Sequence, residues 1–182
     1  MKTKLAAALT LAVFGIAATG VSAIAATSPA TATFQVLMKI NKACTVTAGA
    51  ASNIQIGSAA GVDSNSGANS GNNTISVTCS KTTPYFVGLA PSTANGGTNN
   101  GTGNMISATA PATNTDKVPY TLYQDAAFGT IWGNTATSTS AGNGKGGTGS
   151  GAAQSLTVYA QAASANFTPD SYVDTVTVNV NF

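Results

Sequence analysis

Val173-Asp-Thr-Val-Thr-Val-Asn-Val-Asn-Phe182, the last ten residues, puts Val176, Val178, Val180 and Phe182 at every second position. Period two is the side-chain spacing on one face of a β-strand, so the stretch predicts a strand with one buried face. Its counterpart lies near the other end of the chain. Thr33-Phe-Gln-Val-Leu-Met-Lys-Ile40 alternates Phe34, Val36, Met38 and Ile40 against Gln35, Leu37 and Lys39. Leu37 makes that alternation good without making it clean.

Between these two segments, short apolar alternations are separated by polar punctuation. Strand-like runs fall at 44–47, 53–57, 74–79, 84–89, 118–123, 156–161 and 173–182. Ile75, Val77 and Cys79 share a face, as do Tyr85, Val87 and Leu89, and Val118, Tyr120 and Leu122. Residues 129–133, which carry the sole tryptophan, are placed to fold back on 118–123 across Asp125–Phe128. Stretches 61–73, 91–104 and 142–151 are rich in Gly, Asn and Ser and read as mobile loops. Six glycines in 142–151 mark it as a flexible connection. No amphipathic helical period persists after residue 25. About seven short strands with turns between them predict an all-β sandwich.

The N-terminus reads as a targeting segment. Lys2 and Lys4 precede the apolar run 5–18, and Val21-Ser22-Ala23 and Ala23-Ile24-Ala25 both fit cleavage sites. We therefore expect a signal peptide at 1–25, an N-terminal strand segment at 26–41 and a sandwich domain at 42–182. Roughly 158 residues then remain, the size of one domain. Two of the seven lysines leave with the leader, so five Lys face five Asp, with no Arg, Glu or His. That balance argues against nucleic acid, anionic membranes and electrostatically steered partners. Export to an oxidising compartment makes a Cys44–Cys79 disulfide the default. Closing a loop of that length would stabilise the fold by roughly 3.5–4 kcal/mol in the chain-entropy model.

Chemistry finds little to work with. Asp63, Asp116, Asp125, Asp170 and Asp174 sit beside turn residues, where a carboxylate caps backbone N–H groups, and their spacing does not suggest a glycosidase pair. A Ser or Cys nucleophile would lack an imidazole base. Asp63-Ser-Asn65-Ser-Gly67 opens like a calcium loop but carries Gly67 and Thr74 where ligands belong. Gly146-Gly147-Thr148-Gly149 likewise lacks the acidic residue of a calcium-binding repeat. No metal or cofactor is expected. Tyr120, Tyr123, Trp132 and Tyr159 suit a buried core better than a sugar-stacking platform.

The order of motifs resembles the spore coat protein U-like domain of archaic chaperone–usher pilus subunits. The resemblance runs from the N-terminal alternation into Cys44-Thr45-Val46, then through Ile75-Ser-Val-Thr-Cys79 and Tyr120-Thr-Leu-Tyr123-Gln-Asp125-Ala126 with Trp132-Gly133. It continues in Leu156-Thr-Val-Tyr159 and ends in Tyr172-Val-Asp174-Thr-Val-Thr-Val-Asn-Val-Asn-Phe182. Ser171 and Ala160 stand where the family has Gly, departures expected to alter local turns and to leave the terminal strands untouched.

The resemblance implies a six-stranded, incomplete immunoglobulin-like β-sandwich, completed by a donor strand from a neighbouring subunit. Phe34, Val36, Met38 and Ile40 would be the donor plugs, and Val176, Val178, Val180 and Phe182 the acceptor-groove edge. It further implies a structural pilin, not an enzyme, exported through the periplasm to a cell-surface pilus that supports attachment and biofilm formation. Its partners would be identical subunits head-to-tail, a periplasmic chaperone, an outer-membrane usher and a tip adhesin subunit. The alternative reading is a monomeric secreted binding module for carbohydrate or a surface, whose N-terminal strand completes its own sandwich.

Overall fold

The computed structural model describes residues 28–182. The leader expected at 1–25 lies outside the described residues. Contacts divide the chain after Lys39, and Ile40–Phe182 form one body.

Nine strands occur among the described residues: β1 (Cys44–Thr47), β2 (Asn69–Cys79), β3 (Pro84–Pro91), β4 (Thr102–Ser107), β5 (Lys117–Tyr123), β6 (Lys145–Thr148), β7 (Ala153–Ala162), β8 (Tyr172–Val173) and β9 (Val176–Asn181). They make a large sheet in the order β1-β2-β7-β5-β4-β8 and a small sheet in the order β6-β3-β9. Every pairing is antiparallel. The protein is an all-β, immunoglobulin-like sandwich. Strands β2, β3, β4, β5, β7 and β9 have six or more residues; β1, β6 and β8 are short edge pieces of two to four.

The core is the inner face of both sheets. Ile75, Val77 and Cys79 of β2, Leu122 of β5, and Val158 and Ala160 of β7 meet Tyr85, Val87 and Leu89 of β3. Alternation fixes this arrangement, because a one-residue slip would turn each of these rows toward solvent. Trp132 is fully buried between the strands, and its indole N–H donates to the Val87 carbonyl at 2.8 Å. The turn after β5 brings it there. Gln124 N–H donates to Thr130 C=O and Trp132 N–H to Leu122 C=O, both at 2.8 Å, so the chain folds back as expected. The return makes a single bridge, Tyr123 to Ile131, and no full strand. Cys44 and Cys79 face each other across the β1–β2 ladder and are disulfide-bonded, clipping the short first strand to the core.

Several expectations need correcting. Residues 142–151 are not a flexible connection: β6 lies within them and pairs with β3. Glycine is there for close approach, since a Cβ at Gly147 would fall on the Tyr85 ring and one at Gly149 on the Ser80 carbonyl. Backbone bonds from Gly149 N–H to Thr83 C=O (2.7 Å) and from Thr82 N–H to Gly149 C=O (2.8 Å) seal the join. The loops drawn at 61–73 and 91–104 are shorter, because β2 begins at Asn69 and β4 at Thr102. The ladder to β7 accepts a polar strand end, as its backbone bonds are indifferent to side chains. Residues 53–57, read as a strand, enter no ladder.

The C-terminal stretch is also two strands. β8 pairs with β4 in the large sheet and β9 with β3 in the small one, with Asp174 and Thr175 between them.

Candidate functional site: the open edge of the small sheet

β9 pairs with β3 on one side and with no strand on the other among the described residues. An unpaired edge next to exposed apolar surface invites another chain. Here the edge borders a groove of about 630 Å³ between the two sheets. Val176 and Val178 of β9 form one lip, and residues 48–56 form the opposite one. Ile75, Leu89, Leu122, Val158 and Ala160, all core side chains, make its floor. Met105 and Tyr120 close the end nearest Asp174. The groove runs along the open side of the sandwich, while its floor residues stay buried, at 1–6% exposed.

The far end is held by a polar anchor. Tyr120 hydroxyl donates to Asp174 Oδ2 at 2.7 Å, and Asn95 Nδ2 donates to Asp174 Oδ1 at 2.6 Å. Burial, with the bond to Asp174 and its negative charge, pushes the Tyr120 hydroxyl far above its ordinary range, so it remains a donor. This fixes where the chain leaves the large sheet and sets the start of the β9 edge.

The expected edge residues divide along the strand. Val176 and Val178 line the groove; Val180 packs on the core further along; Phe182 lies past the strand end and is 40% exposed. The expected donor residues Phe34, Val36, Met38 and Ile40 are 78–88% exposed, and residues 31–43 enter no ladder among the described residues. Leu37 is equally exposed, so exposure alone does not separate the two faces of the segment.

The departures at Ala160 and Ser171 fall differently from expectation. Ala160 is within β7, not at a turn, and its methyl group forms part of the groove floor. Ser171 directly precedes β8, and its carbonyl accepts from Ala108 N–H at 2.7 Å. The groove wall at 48–56 and the lining residue Met105 were not singled out from sequence as site residues. Met105 lies in β4, whose polar opening residues hide its alternation.

Among the aromatics, Tyr120 and Trp132 are core. Tyr123 and Tyr159 are half-buried neighbours across β5 and β7, and have the parity opposite to the core rows. The aspartates mostly organise turns. Asp125 accepts from Ala127, Gly129 and Thr130 N–H, and these bonds hold its carboxyl below the usual range. Asp116 is lowered likewise by Thr168 N–H. Asp170 accepts from Ser107, Thr109 and Asn114 side chains and is held well below the carboxylate range. Asp63 accepts Ser66 N–H through its backbone.

Among the described residues no helix is long and apolar enough to cross a membrane. Comparison with curated proteins gives no match. Among solved structures, the chain is similar to one in the crystal structure of the CsuC-CsuE chaperone-tip adhesion subunit pre-assembly complex from archaic chaperone-usher Csu pili of Acinetobacter baumannii. Identity is 17% and the TM-score 0.47, over 79% of this chain and 40% of that one, so the chain spans less than half of that relative's length. The sequence matches the Spore Coat Protein U domain over residues 30–179. The chain belongs to the Spore Coat Protein U domain family.

Proposed function

We propose that the protein is a structural subunit of a surface pilus assembled by the chaperone–usher route, in which each copy lends residues 33–40 to the groove of the next. The observation that carries this reading is an apolar groove beside a strand edge that, like the alternating N-terminal segment, has no ladder partner there among the described residues. A donated strand supplies backbone hydrogen bonds to such an edge, and its alternate side chains fill the groove. Phe34, Val36, Met38 and Ile40 are the plugs.

Magnitudes show why both contributions are needed. Burying four such side chains stabilises the joint by about 6–12 kcal/mol gross, whereas association costs about 4–15 kcal/mol. Backbone hydrogen bonds to β9, at about 0.5–1.5 kcal/mol net each, must carry the difference.

Plug and socket are different surfaces of one molecule, so the contact is head-to-tail and extends as a fibre. Until it is filled, the groove is an aggregation hazard, which supports a periplasmic chaperone as first partner and an outer-membrane usher as the place of exchange. Residue inventory favours a mechanical role over catalysis, with the fibre serving attachment and biofilm formation at the cell surface.

Deleting residues 31–40 tests the reading. The expected product binds chaperone but adds to no fibre. Normal fibres from that deletion would overturn it, and a wild-type chain that stays monomeric in mild detergent would favour a self-contained binding module.

A further inference from the structure

The wall facing β9 across the groove is not built like a strand. Ile54 and Ile56 pack against the core as alternate strand residues would. Yet among the described residues the N–H groups of Ile54, Gln55 and Ile56 donate no hydrogen bond. The backbone is tied at one end by Gly57 N–H to Ser70 C=O, at 3.0 Å. At the other end the tie is a side chain. Asn73 Nδ2 donates to the carbonyls of Asn53 (2.7 Å) and Ala51 (2.9 Å), while Asn73 Oδ1 accepts from Thr74 N–H at 2.8 Å.

Asn73 shares the parity of Ile75 and Val77 in β2, where alternation calls for an apolar side chain. Its amide instead fixes itself to its own strand through oxygen and reaches the wall through nitrogen. Two residues earlier on the same face, Gly71 leaves room for the wall, since a Cβ there would fall on the Gln55 carbonyl. Asn73 does not itself line the groove. It acts on the groove only through the wall.

We infer that Asn73 is a positioning residue for the acceptor groove, holding residues 51–57 at the spacing that grips a donated strand against β9. This rests on the donor-strand reading above. Without the amide, the wall keeps the Gly57 tie and the burial of two isoleucines, and a bound strand escapes faster.

The test uses multimers of the full chain. Their dissociation to monomer on warming in mild detergent is timed for wild type, Asn73→Ala and Asn73→Asp, and hydrogen exchange is followed in the free subunit. Both bonds are already present in the free subunit, so their loss acts only by loosening the wall, and dissociation should speed up several-fold in N73A. In N73D at neutral pH, a carboxylate without donors faces two carbonyl oxygens, and dissociation should be faster still. Lowering the pH from about 7 to 4 returns one O–H donor to that variant, so its rate should move back toward wild type. A generally weakened fold would not show that recovery. Exchange should rise at Ser52, Asn53 and Gly57, the wall amides that donate hydrogen bonds, in both variants and stay unchanged in β3 and β9. Multimers that form in all three proteins and dissociate at one rate, with unaltered exchange at Ser52, Asn53 and Gly57, overturn the inference and leave the donor-strand reading standing. A wild-type chain that forms no multimers overturns both.

Discussion

The hydroxyl of Tyr120 and the carboxylate of Asp174, 2.7 Å apart, join the middle of β5 to the point where the chain crosses from β8 to β9. Because Tyr120 is buried, losing either partner leaves a polar group without its bond. Tyr120→Phe should lower stability by about 1.5–3 kcal/mol, the range for hydrogen bonds to charged groups, measured by urea unfolding. The folded-state pKa of Tyr120 is raised, so its contribution is whole below the unfolded value near 10 and declines as pH climbs beyond that. Stability should accordingly fall less steeply above about pH 10 in Y120F than in wild type, from its lower starting point.

Acid acts through other groups. Asp116, Asp125 and Asp170 have depressed folded-state values, so each stabilises the fold above about pH 4 and ceases to do so as pH falls toward those values. The melting temperature should drop between pH 4 and pH 2. Asp170→Asn should start lower at neutral pH and show a shallower drop.

Gly149→Ala checks whether the glycine-rich stretch is a designed join. Its new methyl group would meet the Ser80 carbonyl, a backbone atom that cannot rotate aside. Overpacking of this kind costs about 1–3 kcal/mol, readable as a lowered urea midpoint at unchanged slope. A neutral result would restore the flexible-linker reading.

The proposed head-to-tail joining makes a prediction about mixtures. Val36→Asp spoils the plug, because a carboxylate does not enter an apolar groove without large cost. Ala160→Phe spoils the socket by placing a ring on the groove floor. Each variant alone should stay monomeric in mild detergent, while an equimolar mixture should stop at dimers. Longer ladders from the mixture, or multimers from either variant alone, would show that joining does not use these two surfaces.

Much of the fold was legible from alternation. The rows Ile75-Val77-Cys79, Tyr85-Val87-Leu89 and Val118-Tyr120-Leu122 are buried as read, because one-sided burial is what writes period two into a sequence. β6 was not legible, since Lys-Gly-Gly-Thr carries no apolar signal and its place depends on the Tyr85 ring, far away in sequence. Nor was the break at Asp174, where unbroken alternation conceals a change of sheet; a distant tyrosine fixes the crossover. The β9 half of the candidate site was therefore readable, Val176 and Val178 above all. The opposing wall was not, because Asn73 holds it in place of a ladder and one asparagine among many gives no cue.

The ladder joining β9 to β3 runs from Phe86–Asn181 to Pro91–Val176, six pairs side by side. A pull along β9 would load those pairs in shear, all at once, whereas a peel from one end would break them singly. An edge laid lengthwise to the applied force thus resists tension far better than its modest length suggests, a useful trait for any link in a filament under drag.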